Sequence, residues 1–293
     1  MSINPSRVRR CALTLIYAAM ENGGSYDDVN EDLFWSVALE RDTDQYRQAL
    51  AKAVLHTCRA TADSARLLEQ RISAALEASH GDMTALTLRE SLQRYANRTD
   101  EWEESLAALR AEVNNKRAVG TDDLYARSRS CLRLAQALLG LGQELLPGFA
   151  DFPAYRAVLE PLAAVVKRRA RLLEACSGLG DRDYLAGKAE FAGMLRLMDD
   201  MAALRPAAEK LARNVLAKRE RLEDELAGLL EHYDMGRLDM VDRSILLLAL
   251  YELRVAGLTP AIVVSEATDL ADTFSGTKSA TFIHGVIGSA AKK

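Results

Sequence analysis

Arg7, Arg9 and Arg10 crowd the amino terminus, and no acidic residue follows them until Glu21. Guanidinium groups pair bidentately with phosphate. Single-stranded RNA is bound through basic groups on phosphates and aromatic or guanidinium planes on bases. Helical spacing puts Arg7, Arg10, Thr14 and Tyr17 on one stripe, so a nucleotide would meet charge and then a hydroxyl. The plain alternative is a solvated basic helix end. A second constellation, Lys278, Ser279 and Phe282, lies near the other terminus. With Ser279 as helix cap, Phe282 falls in the first turn. Free backbone N–H groups there attract phosphate, and a ring beside them stacks on a base. A Phe at that spacing fits a core position equally well. Asp242 follows Asp239 by three residues at the start of an apolar run, where a carboxylate suits the positive end of a helix dipole. Lys167-Arg168-Arg169 with Arg171 spreads charge around a helix as a solvated face does, auxiliary RNA contact being the other reading.

Catalytic chemistry finds no support. The sequence has no G-x-x-x-x-G-K-[ST], no H-E-x-x-H and no G-x-S-x-G, and Gly178-Leu179-Gly180 follows a helix without a third glycine. No catalytic residue, metal or cofactor is expected. Cys11, Cys58, Cys131 and Cys176 are widely scattered, which argues against a disulfide framework or a zinc site. A net charge of −4 means that nucleic-acid contact must come from local patches. The cytoplasm is the simplest compartment. Arginines ahead of Cys11 to Met20 superficially resemble a secretory signal. However, Val8, Cys11, Leu15 and Ala19 repeat at helical spacing on a stripe separate from the basic one, which predicts an amphipathic first helix.

The elements that position these residues all read as helices. Aromatics are only 6%, Ala, Leu, Arg and Glu dominate, and no stretch alternates as a strand does. The first helix is expected over about 5–21, closed by Asn22-Gly23-Gly24-Ser25, and a second over about 30–39 with Leu33, Phe34, Val37 and Ala38 facing the core. Further helices are predicted over 46–79, 84–119, 122–146, 155–176, 181–204 and 206–233, with breaks at Gly or Pro. Ile245 to Tyr251 are seven apolar residues in a row, far fewer than the about 20 needed to cross a bilayer. They predict a central helix packed on all sides, capped by Asp239. Thr259-Pro260 starts the next helix, Gly276 ends it, and Ser279 caps the last.

Three motifs in one order, V-D-R-S-I-L-L-L-A-L-Y-E-L, V-V-S-E-A-T-D-L-A and S-A-T-F-I-H-G-V-I, resemble the NusB family of transcription antitermination factors. The opening R-V-R-R-C-A-L-T-L-I-Y is similar to that family's arginine-rich first helix, and K-L-A-R-N-V-L with L-x-x-L-L-x-x-Y fits its next-upstream helix. The resemblance covers residues 6 to about 40 and 207 to 290. Family members are usually about half this length, which implies an all-α, NusB-like helical bundle with an inserted or added helical region. The expected divisions are 1–59, 60–205 and 206–293, the first and last being NusB-like.

The resemblance further implies a factor that pairs with the ribosomal protein NusE on boxA-like single-stranded RNA, within the RNA polymerase antitermination complex, to support ribosomal RNA transcription. It puts Arg7, Arg9, Arg10 and Phe282 on the RNA side and Asp242 against the ribosomal partner, while Thr14 and Tyr17 join the RNA-binding candidates through the stripe they share with Arg7 and Arg10. Lys278 stands where relatives often carry an acid. Leu247, Ser265 and His284 depart from frequent Arg, Asn and Asn, which weakens any internal hydrogen bond inferred from the family. NusB-like domains also occur fused to RNA methyltransferases, but no α/β segment for a methyl donor is present, so an enzyme is not expected. The competing reading is a non-catalytic helical protein–protein interaction scaffold.

Overall fold

The computed structural model describes residues 4–115, 120–230 and 235–292. Among these there is no strand, and the α-helices follow one another as α1 (Pro5–Glu21), α2 (Glu31–Ala38), α3 (Glu40–Thr57), α4 (Thr61–Ala78), α5 (Leu86–Asn114), α6 (Thr121–Gly148), α7 (Arg156–Gly178), α8 (Arg182–Ala186), α9 (Ala192–Leu216), α10 (Arg219–Leu229), α11 (Met240–Arg254), α12 (Pro260–Phe274) and α13 (Thr277–Ala290). The fold is all-α, as expected.

The chain divides into two compact units, residues 1–40 with 199–293, and residues 41–198. The expected boundaries at 59/60 and 205/206 differ from this division. Leu50, Ala51 and Val54 of α3 are buried in the core of the second unit, so the helix that follows α2 belongs there.

In the first unit α11 is the hub, with α1, α10, α12 and α13 packed on it. Ile245, Leu246, Leu247, Leu248, Ala249 and Leu250 are all buried. Each large aliphatic side chain so buried is worth about 1.5–3 kcal/mol. Asp239 caps α11, its Oδ1 accepting the Val241 N–H at 3.1 Å. Gly257 takes φ +64° just past the helix end, a left-handed turn that other residues adopt at a cost. Thr259 and Pro260 then open α12 at its cap and first helical positions.

In the second unit α4, α5, α6 and α7 pack pairwise into a bundle. Tyr95, Trp102, Leu138, Leu162 and Leu173 are among the residues that fill its core. Arg169 is wholly buried in it. Its Nη2 donates to Glu103 at 2.7 Å, and its guanidinium lies 5.2 Å from the Trp102 ring centroid. The basic run 167–171 is therefore not one solvated face: Lys167, Arg168 and Arg171 are exposed and Arg169 is core. Two of the cysteines, distant in sequence, meet here. Cys58 Sγ donates to Cys176 Sγ at 3.4 Å, and that contact together with burial holds the Cys176 thiol far above its ordinary pKa.

Several expected boundaries moved. The helix predicted over 46–79 is interrupted by a 3-10 turn at Cys58–Ala60, where the buried Cys58 meets α7 and no Gly or Pro marks the break. The break predicted at Arg205-Pro206 does not occur. One helix runs through Pro206 because Leu204, Ala208 and Ala212 are fully buried on one face and Arg205 Nε donates to Glu209 at 2.8 Å. The predicted ends at Val119 and Tyr233 lie outside the described residues.

Candidate nucleic-acid interface

The first unit folds α1 so that its two arginine faces have different fates. Asn4 caps the helix, its side chain accepting the Ser6 N–H at 3.1 Å, and Pro5 pre-sets the first turn. The buried face is Arg9, Ala12, Leu13, Leu15, Ile16, Ala19 and Met20. It is rotated from the expected Val8–Cys11–Leu15–Ala19 stripe, of which only Leu15 and Ala19 are buried.

Arg9 is thereby corrected from an RNA contact to an internal tie. Its Nε donates to Glu252 Oε1 and Oε2 at 2.8 and 3.0 Å, and its Nη1 lies 3.5 Å from Glu266 Oε2. Ser6 Oγ donates to Glu266 Oε1 at 2.7 Å. This network fastens the start of α1 to α11 and α12. Burial raises the Glu252 carboxyl above its ordinary range, Arg9 pulls it back, and Glu266 adds to the rise.

On the neighbouring face Arg7, Arg10 and Thr14 line a groove of about 790 Å³ whose far wall is α2. Arg10 is exposed and Arg7 half-buried. The Thr14 hydroxyl donates to the Arg10 carbonyl at 3.0 Å, which leaves its oxygen able to accept. The α2 wall corrects another expectation. Leu33 and Val37 were placed in the core, yet they are 63% and 66% exposed. Trp35 is the buried residue of α2, with Nε1 donating to Glu209 at 2.8 Å. Positions two residues away lie about 200° round the helix, so burying Trp35 turns Leu33 and Val37 outward. Phe34 and Phe274 complete the apolar lining. Among the described residues no acidic side chain lines the groove.

The remaining candidates stand elsewhere. Tyr17 is half-buried and outside the groove lining. Lys278 is exposed in the first turn of α13. That helix is capped by Gly276, not Ser279, whose hydroxyl instead donates to Asp242 Oδ2 at 2.9 Å. Phe282 consequently sits in the second turn, away from the open N–H groups, half-buried against the core. Asp242 is buried at the start of α11, so the expected partner-facing acid is an internal link between α11 and α13. The rings that share the groove with the arginines are Phe34 and Phe274, of which Phe274 was not expected there. In the sequence it ends the apolar stripe Val263–Ala267–Leu270–Ala271, and nothing there distinguishes it from a core residue.

Comparison with known proteins places this architecture. The model of the NusB family matches residues 169–292. The transcription antitermination protein NusB of Geobacter sulfurreducens is 36% identical over 115 residues, covering 37% of this chain and 82% of that protein. The chain belongs to the NusB family. The NusB of Rubrobacter xylanophilus is 44% identical over 87 residues, 29% of this chain and 63% of that protein. The NusB of Clostridium botulinum strain Hall is 38% identical over 81 residues, 27% of this chain and 57% of that protein. The chain thus spans less than two thirds of the length of the Rubrobacter and Clostridium relatives. No solved structure matches. The α1 helix lies outside the residues matched by the NusB model; packing on α11, across residues 41–198, joins it to the matched part.

Proposed function

We propose that this NusB-family chain is an RNA-binding transcription antitermination factor that pairs with the ribosomal protein NusE on boxA-like single-stranded RNA, within an RNA polymerase antitermination complex, to support ribosomal RNA transcription. The observation that carries the reading is the row Arg7–Arg10–Thr14 facing a groove that no acidic side chain among the described residues lines. Two guanidiniums there attract phosphates, and the Thr14 oxygen accepts from a base or a ribose hydroxyl. Tyr17, Lys278 and Phe282 are candidate flanking contacts. Arg9 acts by holding α1 in place.

The test is an RNA shift assay with and without NusE at two salt concentrations. Replacing Arg7 and Arg10 with Ala is expected to weaken binding and to lower the salt slope by about 0.7 per lost phosphate contact. Helical content should stay the same, since neither side chain belongs to the core. Unchanged affinity and slope would remove the assignment. A second reading, a non-catalytic helical protein-interaction scaffold, draws on the outward Leu33 and Val37. It predicts binding to a protein partner and none to RNA alone.

A further inference from the structure

We infer that Cys58 and Cys176 are a modification site: a dithiol that a small hydroperoxide converts into a disulfide, closing a staple inside the unit 41–198.

A buried thiol is ordinarily no more than a small apolar side chain of the core. Cys58 and Cys176 depart from that in one respect. They lie 118 positions apart, yet their sulfurs touch at 3.4 Å. Both are thiols in the core of the same unit. Cys58 opens the 3-10 turn Cys58–Ala60 between α3 and α4, and Cys176 stands in the last turn of α7. A disulfide brings its sulfurs to about 2.05 Å, so closure from contact asks for little more than the reach of a side-chain rotation. The bond would tie the junction of α3 and α4 to the end of α7. Cys131, the third thiol of this core, is engaged differently, with its Sγ 3.2 Å from Ser105 Oγ.

Burial decides the order of events and the class of reagent. The nucleophile is the thiolate. The contact with Cys58, together with burial, keeps Cys176 protonated at neutral pH. Cys176 is also fully enclosed, whereas Cys58 is 3% exposed, so Cys58 is the sulfur that meets the oxidant. Its thiolate attacks one peroxide oxygen, an S–O bond forms, the O–O bond breaks, and the departing hydroxide takes a proton to become water. Cys58 is then a sulfenic acid, which condenses with a neighbouring thiol. Cys176 gives up its proton and attacks the Cys58 sulfur. The S–S bond forms, the S–O bond breaks, and the second hydroxide leaves as water with that proton. Two thiols are oxidised and one hydroperoxide is reduced to two waters. Because the pair is enclosed, the step waits on local opening and is slow.

The experiment uses the full chain carrying Cys11→Ser, treated in its folded state with excess hydrogen peroxide, then denatured, alkylated and mapped by peptide mass. An intramolecular Cys58–Cys176 cross-link, reversed by dithiothreitol, is expected. Cys131→Ala should form it equally, while Cys58→Ala and Cys176→Ala should not. Closing so long a loop should raise the melting temperature of the oxidised chain by about 5 °C or more over the reduced one. A cross-link that joins Cys131 instead would overturn the inference. So would oxidation that stops at sulfinic acid, or thiols that stay reduced until the chain is unfolded with guanidinium. These three readings come from the parent chain itself, so they hold even where an alanine variant fails to fold. A cross-linked chain that melts at or below the reduced one would overturn the staple.

Discussion

Arg9 and Arg10 are neighbours with opposite duties, because about 100° of helix rotation separates them. Arg10 faces the groove, whereas the Arg9 side chain is 8% exposed and paired with a Glu252 side chain that is 6% exposed. Removing one partner of such a pair strands the other charge in the core. Arg9→Ala is therefore expected to cost about 3–5 kcal/mol in urea unfolding at neutral pH, where Arg10→Ala costs almost nothing. The pH dependence has a definite sign. Glu252 is held above its ordinary value chiefly by burial, so the folded state binds its proton more tightly than the unfolded state. The stability from this group is complete below the ordinary glutamate value of about 4.3 and is lost as pH rises through the folded value. Without Arg9 the folded value moves further up. The Arg9→Ala variant should therefore regain part of its lost stability between pH 7.5 and pH 5, and adding Glu252→Gln should abolish that regain. Parallel urea midpoints for the single and double variants would contradict the assignment.

At the scale of the element, α2 shows how one large side chain orients a short helix. Five apolar residues in L-F-W-S-V-A compete for the core, and only Trp35 is buried there. Its indole also donates to Glu209 and its ring meets Phe34 edge-on at 4.8 Å. Periodicity alone favoured Leu33 and Val37, because it weighs all apolar residues alike. Trp35→Ala is expected to lower stability by about 3–5 kcal/mol. Leu33→Ser should stay within about 0.5 kcal/mol. Thermal melts of the two variants check this, and a large loss with Leu33→Ser would place that residue inside. The breaks followed the same logic. Gly257 and Pro260 acted where backbone chemistry dictated. Pro206 was carried through by the buried side chains flanking it, and Cys58 produced a turn that no local signal announced.

At the scale of the molecule, the unit built around α11 is split in sequence, residues 1–40 with 199–293. Residues 41–198 form their own unit, with a core that runs from Leu50 to Met194 and shares no residue with the core around α11, while the NusB-family match at 169–292 begins inside this unit. A fragment spanning 41–198 is accordingly expected to unfold in a single cooperative transition by circular dichroism, since its size and core are those of a domain. A gradual, non-cooperative melt would show that it depends on the flanking residues.

The sequence alone determined the helical class, the buried run of α11, the Asp239 cap and the Thr259–Pro260 start, because each depends on neighbours within a turn or two. It also held the motifs that resemble the family. What only the tertiary structure decided were the pairings between distant residues, Arg9 with Glu252, Trp35 with Glu209 and Asp242 with Ser279, and the groove that Phe274 shares with Arg10. Helical periodicity fixes which residues share a face, but the direction of that face depends on partners supplied by other helices, from 37 to 243 positions away.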